Sequence, residues 1–165
     1  MADSSWKDDV LRGSVLDRLI AGEGSGGSSS SYGYVGVREL RDSVALHLEW
    51  LLNSKRWCPW DLEAFKEARE SNLTYGLPDL STYSWRSGKD AGRIGEFIKE
   101  AIRRFEPRLQ PQSIKVEVLP AGGVDDFSVG FRIHGILNVD PIREPVTFNS
   151  DMDMTTNEIH VSGEF

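Results

Sequence analysis

The stretch Ile102-Arg103-Arg104-Phe105-Glu106-Pro107-Arg108-Leu109 is where the hydrophobic period of the chain changes, and its reading decides the fold. Upstream of it, Ile94, Phe97, Ile98, Ala101, Ile102 and Phe105 recur at i, i+3, i+4, i+7, i+8 and i+11. That spacing lays one apolar stripe along a helix from about Asp90 to Phe105. Pro107 has no amide hydrogen and pushes Glu106 out of the helical region toward extended geometry, so the helix stops here. On extended backbone Glu106 and Arg108 project to the same side. A carboxylate at the negative end of a helix dipole is locally unfavourable, so Glu106 calls for a cation or a donor nearby. Spacing alone leaves open a surface turn whose ion pair is incidental and worth little.

Beyond Pro111 the period becomes two. Ile114, Val116 and Val118 alternate with Lys115 and Glu117, the pattern of a half-buried strand. Residues 120–123, Pro-Ala-Gly-Gly, supply a turn. Phe127, Val129, Phe131, Ile133, Leu137 and Val139 keep one parity along a long strand, with Gly135 as a bulge or a point of close approach. Pro141 and Pro145 bracket the next connection, Val146 and Phe148 form a third strand, and Ile159, Val161 and Phe165 suggest a fourth. Helices first and hairpin-linked strands after predict an α+β fold, with helices packed on one face of a small, mainly antiparallel sheet.

Working toward the N-terminus, Leu73 to Leu80 reads as an ordered loop, because Gly76 permits unusual dihedrals and Pro78 stiffens the exit. Leu62 to Glu70 is predicted as a short helix. Val37, Leu40, Val44, Leu48 and Leu51 form a second helical stripe, widened by Leu46, Trp50 and Leu52 and ended at Trp57-Cys58-Pro59-Trp60. Residues 22–31 are Gly and Ser apart from Glu23, a linker with an r.m.s. span of roughly 16–19 Å. Ahead of it, Val10-Leu11 and Val15 to Ile20 make a short amphipathic piece, marginal as a helix on its own. The predicted organisation is an N-terminal arm (1–21), a Gly/Ser linker (22–33) and one domain (34–165). Docking of the arm in cis and on a partner both remain open.

Composition removes several function classes. The chain has 165 residues and a net charge of −7, which argues against a general nucleic-acid or anionic-membrane binder. A single cysteine, Cys58, leaves no intramolecular disulfide and no zinc-type pair. His47, His134 and His160 have no companions at metal-ligand spacing, so neither a metal nor a cofactor is expected. No apolar run approaches the ~20 residues that span a bilayer, and residues 1–6 begin no signal peptide, so direct membrane insertion is not expected and the cytoplasm is.

Segments from the arm to the last strands resemble a known family. Leu16-Asp17-Arg18-Leu19, then Leu48 to Arg56 closing a helix, Tyr75-Gly76-Leu77-Pro78-Asp79-Leu80, and Ile102 to Leu109 occur in that order. Phe131 to Leu137 and Glu144 to Phe148 follow. Together they resemble the TssE baseplate proteins of type VI secretion, which belong with the lysozyme-like (sheath initiator) wedge proteins of contractile phage tails. The resemblance implies a non-enzymatic cytoplasmic baseplate subunit. Its implied partners are other wedge subunits of the TssF, TssG and TssK types and the sheath, whose polymerisation it would template. The family's Glu-Pro-Arg element falls on Glu106, Pro107 and Arg108, with Leu109 beside it, and is implicated in assembly. Further candidate contacts are Arg104, Leu16, Arg18, Leu19, Tyr75, Asp79, Ile159 and Val161.

Ile159 and Val161 enter that set through a physical expectation. Contractile sheaths interlock by exchanging strands, and the strand around Glu158 to Gly163 reads as an uncovered edge on which a first strand could pair. Two other readings stand beside assembly. A glycoside hydrolase would need Glu106 as a protonated acid opposite a second carboxylate about 5 to 9.5 Å away, such as Asp79, Asp125, Asp126, Asp151 or Asp153. Arg108 next to Glu106 favours the ionised form, the wrong state for that task. A single-partner adaptor is the third reading.

Overall fold

The computed structural model describes residues 37–56, 62, 64–84, 87–119, 128–140, 142–153, 156 and 158–163. The expected arm and linker, the segment 57–60 with Cys58, the turn at 120–123, Phe127, Pro141 and Phe165 lie outside the described residues. Helix α1 spans Val37–Asn53, a short α2 spans Lys66–Arg69, and α3 spans Gly88–Phe105. Single 3-10 turns occupy Asn72–Thr74 and Pro111–Ser113. Four strands follow: β1 (Lys115–Leu119), β2 (Ser128–Val139), β3 (Ile142–Asp153) and β4 (Ile159–Gly163).

The predicted stripes bury as expected in α3, where Ile94, Ile98, Ala101 and Ile102 face inward and Phe97 and Phe105 are half-buried. The Ser87 hydroxyl accepts from the Asp90 amide, which satisfies one of the free donors that begin a helix. In α1 the inward residues are Leu40, Val44, Ala45, Leu48, Leu51 and Leu52. Leu46 and Trp50 do not widen that surface, and each is 40% exposed. They lie two positions beyond Val44 and Leu48, about 200° further round the helix.

Helix α1 also ends at Asn53, ahead of the expected stop at residues 57–60 and short of Arg56. Its end is captured by the Tyr75 to Leu80 loop: the Leu77 amide donates to Ser54 O at 2.9 Å and the Arg56 amide to Leu77 O at 2.7 Å. Only glycine permits this approach. Gly76 sits at φ 96°, and a Cβ there would lie 2.2 Å from the Ser54 carbonyl oxygen. The short helix expected over Leu62 to Glu70 forms only at Lys66–Arg69.

The strands make an antiparallel meander in the order β1-β2-β3-β4. Pairing between β2 and β3 runs unbroken from Ser128↔Asp153 to Val139↔Ile142. Gly135 is therefore no bulge. It pairs with Val146, and a Cβ on it would meet Leu109 at 3.5 Å, an ordinary contact. Phe131, Ile133 and Leu137 of β2, Phe148 and Met152 of β3 and Ile159 of β4 fall on one face through the register and are buried. Helix α1 covers the β4 side of that face and α3 the β1 side, with the helices touching each other. The other face is polar, as where Arg132 Nε donates to Asn149 at 3.1 Å.

Pro145, expected to flank a connection, stands inside β3 opposite Ile136. Asn53 bonds both backbone groups of Ile159, so Ile159 turns its backbone away from β3. By alternation the odd residues of β3 turn toward the β4 side, where β4 reaches only as far as Phe148↔Gly163. Among the described residues no strand pairs with that side of Pro145, so its missing amide costs no ladder bond there.

Two stability outcomes follow. Gly76→Ala should destabilise by more than about 2 kcal/mol, from left-handed strain and collision with backbone, read by chemical denaturation. The Ser150 hydroxyl is buried with no hydrogen-bond partner among the described residues, so Ser150→Ala should be neutral or stabilising by up to about 2 kcal/mol in the same assay.

Candidate functional site

Pro107 ends α3 by placing Glu106 at φ −117°, ψ 82°, outside the helical region as the sequence predicts. The backbone then turns instead of continuing extended, with the Leu109 amide donating to Glu106 O at 3.2 Å. Glu106 and Arg108 meet across that turn. Arg108 Nε donates to Glu106 Oε1 at 2.7 Å and Nη2 to Oε2 at 2.6 Å, a bidentate pair. The Arg108 amide adds a third bond to Oε1 at 3.2 Å. Side-chain exposure is 4% for Glu106 and 16% for Arg108, so the pair is made within the fold and little screened by solvent.

The guanidinium has donors to spare, and α1 takes them. Nη1 donates to Ser43 Oγ at 2.9 Å, and Nη2 lies 2.6 Å from His47 Nδ1. Arginine carries only donors, so Nδ1 is the acceptor and the imidazole is neutral with its proton on Nε2. The ring of His47 stacks on Trp50 at 5.5 Å between centroids. Residues 108–110 meanwhile pair with the far end of β2: Asn138 N donates to Arg108 O and Gln110 N to Ile136 O, both at 2.8 Å. Leu109, fully buried, bridges to Leu137. Ser113 closes the corner, accepting from Ile136 N at 2.8 Å and donating to Gln110 O at 2.7 Å. One turn thus joins α3, α1 and β2.

Among the expected contact residues, Arg104 and Tyr75 gather beside this turn. Tyr75 packs edge-on against Phe105 at 5.1 Å, and Arg104 lies over the same ring at 5.6 Å. Burial and the Glu106 charge raise the Tyr75 phenol above its ordinary value, so ionisation of Tyr75 at alkaline pH opposes folding. Pro107 is the exposed member of the motif; Glu106 and Leu109 are buried. Asp79 and Ile159 belong elsewhere, lining a small hollow of about 100 Å³ with Lys55, Leu77 and Met152. The Ser81 amide donates to Asp79 and lowers its carboxyl below the usual range, an effect lost as pH falls. Leu16, Arg18 and Leu19 lie outside the described residues.

The expected open edge of β4 is occupied. The Ile159 amide donates to Asn53 Oδ1 at 2.8 Å, Asn53 Nδ2 donates to Ile159 O at 2.7 Å, and the Val161 amide donates to Glu49 Oε2 at 2.9 Å. Ser43, His47, Glu49 and Asn53 were not singled out as site residues by sequence reasoning. Their partners stand 61 to 112 positions away, beyond any local spacing signal.

Both Glu106 oxygens accept from Arg108, which turns the carboxylate into the fold at 4% exposure. The general acid of a glycosidase faces a cleft that admits a sugar, and Glu106 instead faces Arg108, itself bonded to α1. Among the described residues no cluster of histidine, cysteine and carboxylates could hold a metal, and no helix is long and apolar enough to cross a membrane.

Removing one partner of a buried pair strands the other charge. Glu106→Ala should cost about 3–5 kcal/mol by denaturation, and a double-mutant cycle with Arg108→Ala should show strong coupling.

No curated protein and no solved structure matches the chain. A family model does, over residues 38–142, from α1 to the start of β3 and including the whole turn at 106–109. The chain belongs to the baseplate wedge protein gp25 family.

Proposed function

We propose that this chain is a structural subunit of the cytoplasmic baseplate of a type VI secretion machine, of the TssE type. It contacts wedge subunits of the TssF, TssG and TssK types and offers the sheath its first template. The observation that carries the reading is the buried Glu106–Arg108 pair inside the family segment. Its energy goes into holding a turn whose accessible members are Pro107, Arg104 and Tyr75. In this reading the pair shapes the docking surface, and those three residues with Asp79 touch the partners. Leu16, Arg18 and Leu19 reach a neighbouring subunit through the Gly/Ser linker. A strand arriving at Ile159 and Val161 has to displace Asn53 and Glu49 from the edge.

The test uses cells carrying a complete contractile secretion locus. Tyr75→Ala with Arg104→Glu should leave the purified protein folded by circular dichroism, yet abolish sheath tubes seen by fluorescence microscopy. Normal sheaths in cells relying on that variant would remove this surface from assembly. Co-purification should bring several baseplate subunits down together; recovery of one partner only would favour an adaptor.

A further inference from the structure

The outer edge of β4 carries a feature that neither the family match nor the proposed assembly role calls for. Antiparallel strands turn alternate residues to alternate sides, and Ile159, Val161 and Gly163 turn away from β3. Two side chains on successive turns of α1 bond three of those outward groups, at 2.7 to 2.9 Å. Asn53 mimics a paired residue, giving and taking one bond each. Glu49 takes the Val161 amide. A helix can pack on a strand through apolar contacts alone, so bonds to its backbone edge serve a separate end.

We propose that Glu49 and Asn53 form an edge guard that keeps β4 from pairing with β4 of a second copy of this chain. The occupant follows from the strand's own symmetry. In an antiparallel pair about a two-fold axis at Val161, Val161 faces Val161, Ile159 faces Gly163 and His160 faces Ser162. This register uses the outward backbone groups of all three odd residues and opposes no like charges within β4. It also keeps the apolar side chains of both copies on one face. Exposed edges of this kind invite edge-to-edge association, and soluble proteins cover them. The guard is independent of the assembly reading, since it concerns the free chain.

The experiment is sedimentation velocity on the full chain over a range of concentrations. The Glu49→Ala, Asn53→Ala double variant should double in mass relative to the wild type, with the fraction rising with concentration. Adding Val161→Pro, which removes the outward donor, should return the mass to the wild-type value. A folded double variant with the wild-type mass overturns the guard. So does a dimer that survives Val161→Pro, because it uses another surface. Should the double variant lose its circular dichroism signal, Glu49→Ala alone leaves both Asn53 bonds in place and carries the same mass test. Amide exchange on the wild type is the second readout. The Val161 amide should be protected like those of the paired strands, and exchange at the rate of a free amide overturns the guard.

Discussion

The bidentate pair between Glu106 and Arg108 is the interaction on which the rest of the molecule is arranged. A carboxylate at the C-terminal end of α3 meets the negative pole of the helix, and burial strips it of water. Arg108 compensates both, and the geometry of its fork sets where the chain goes next. With Nε and Nη2 committed to Glu106, Nη1 and Nη2 reach Ser43 and His47 and draw α1 alongside α3. The same turn delivers Leu109 into the core opposite Leu137 and starts the pairing with β2. Such a pair adds less net stability than its short distances suggest, because both ions lose hydration. What the geometry shows is that one turn is bonded to three elements, α3, α1 and β2.

The second theme is how a four-stranded meander treats its backbone. β2 and β3 form a long hairpin, while β1 and β4 cover only part of it. Residues 108–110 extend the β1 side toward the hairpin tip, separated from β1 by the Pro111–Ser113 turn. On the other side Pro145 occupies the stretch of β3 that β4 does not reach. Beyond β4, helix side chains stand in for a missing strand. Edges that are covered, interrupted or bonded by side chains resist uncontrolled edge-to-edge pairing.

Much of this was legible in the residues. The period of 3.6 in Ile94 to Phe105 and the period of two in Phe131 to Val139 placed the helix, the strand and the buried face of each, because those periods follow from backbone geometry. Gly76 was recognisable as a residue needed for its dihedrals. Pro107 located the end of α3 and the escape of Glu106 from helical geometry. Pro145 was misplaced, since whether a strand position lies on an edge depends on how far its neighbour extends. The end of α1 was put too late, because Leu77, more than twenty residues on, is what captures Ser54.

By itself, then, the sequence determined the two long helices and the strands, the α+β order and the end of α3 ahead of Pro107, all of which are written in spacing and in proline's geometry. Tertiary structure alone decided that Arg108 closes back on Glu106 while holding Ser43 and His47. It also decided that Asn53 and Glu49 occupy the edge of β4. Those partners are separated by many turns of chain, and a side chain's hydrogen bonds are chosen by what packing brings within about 3 Å. Local pattern has no term for that distance.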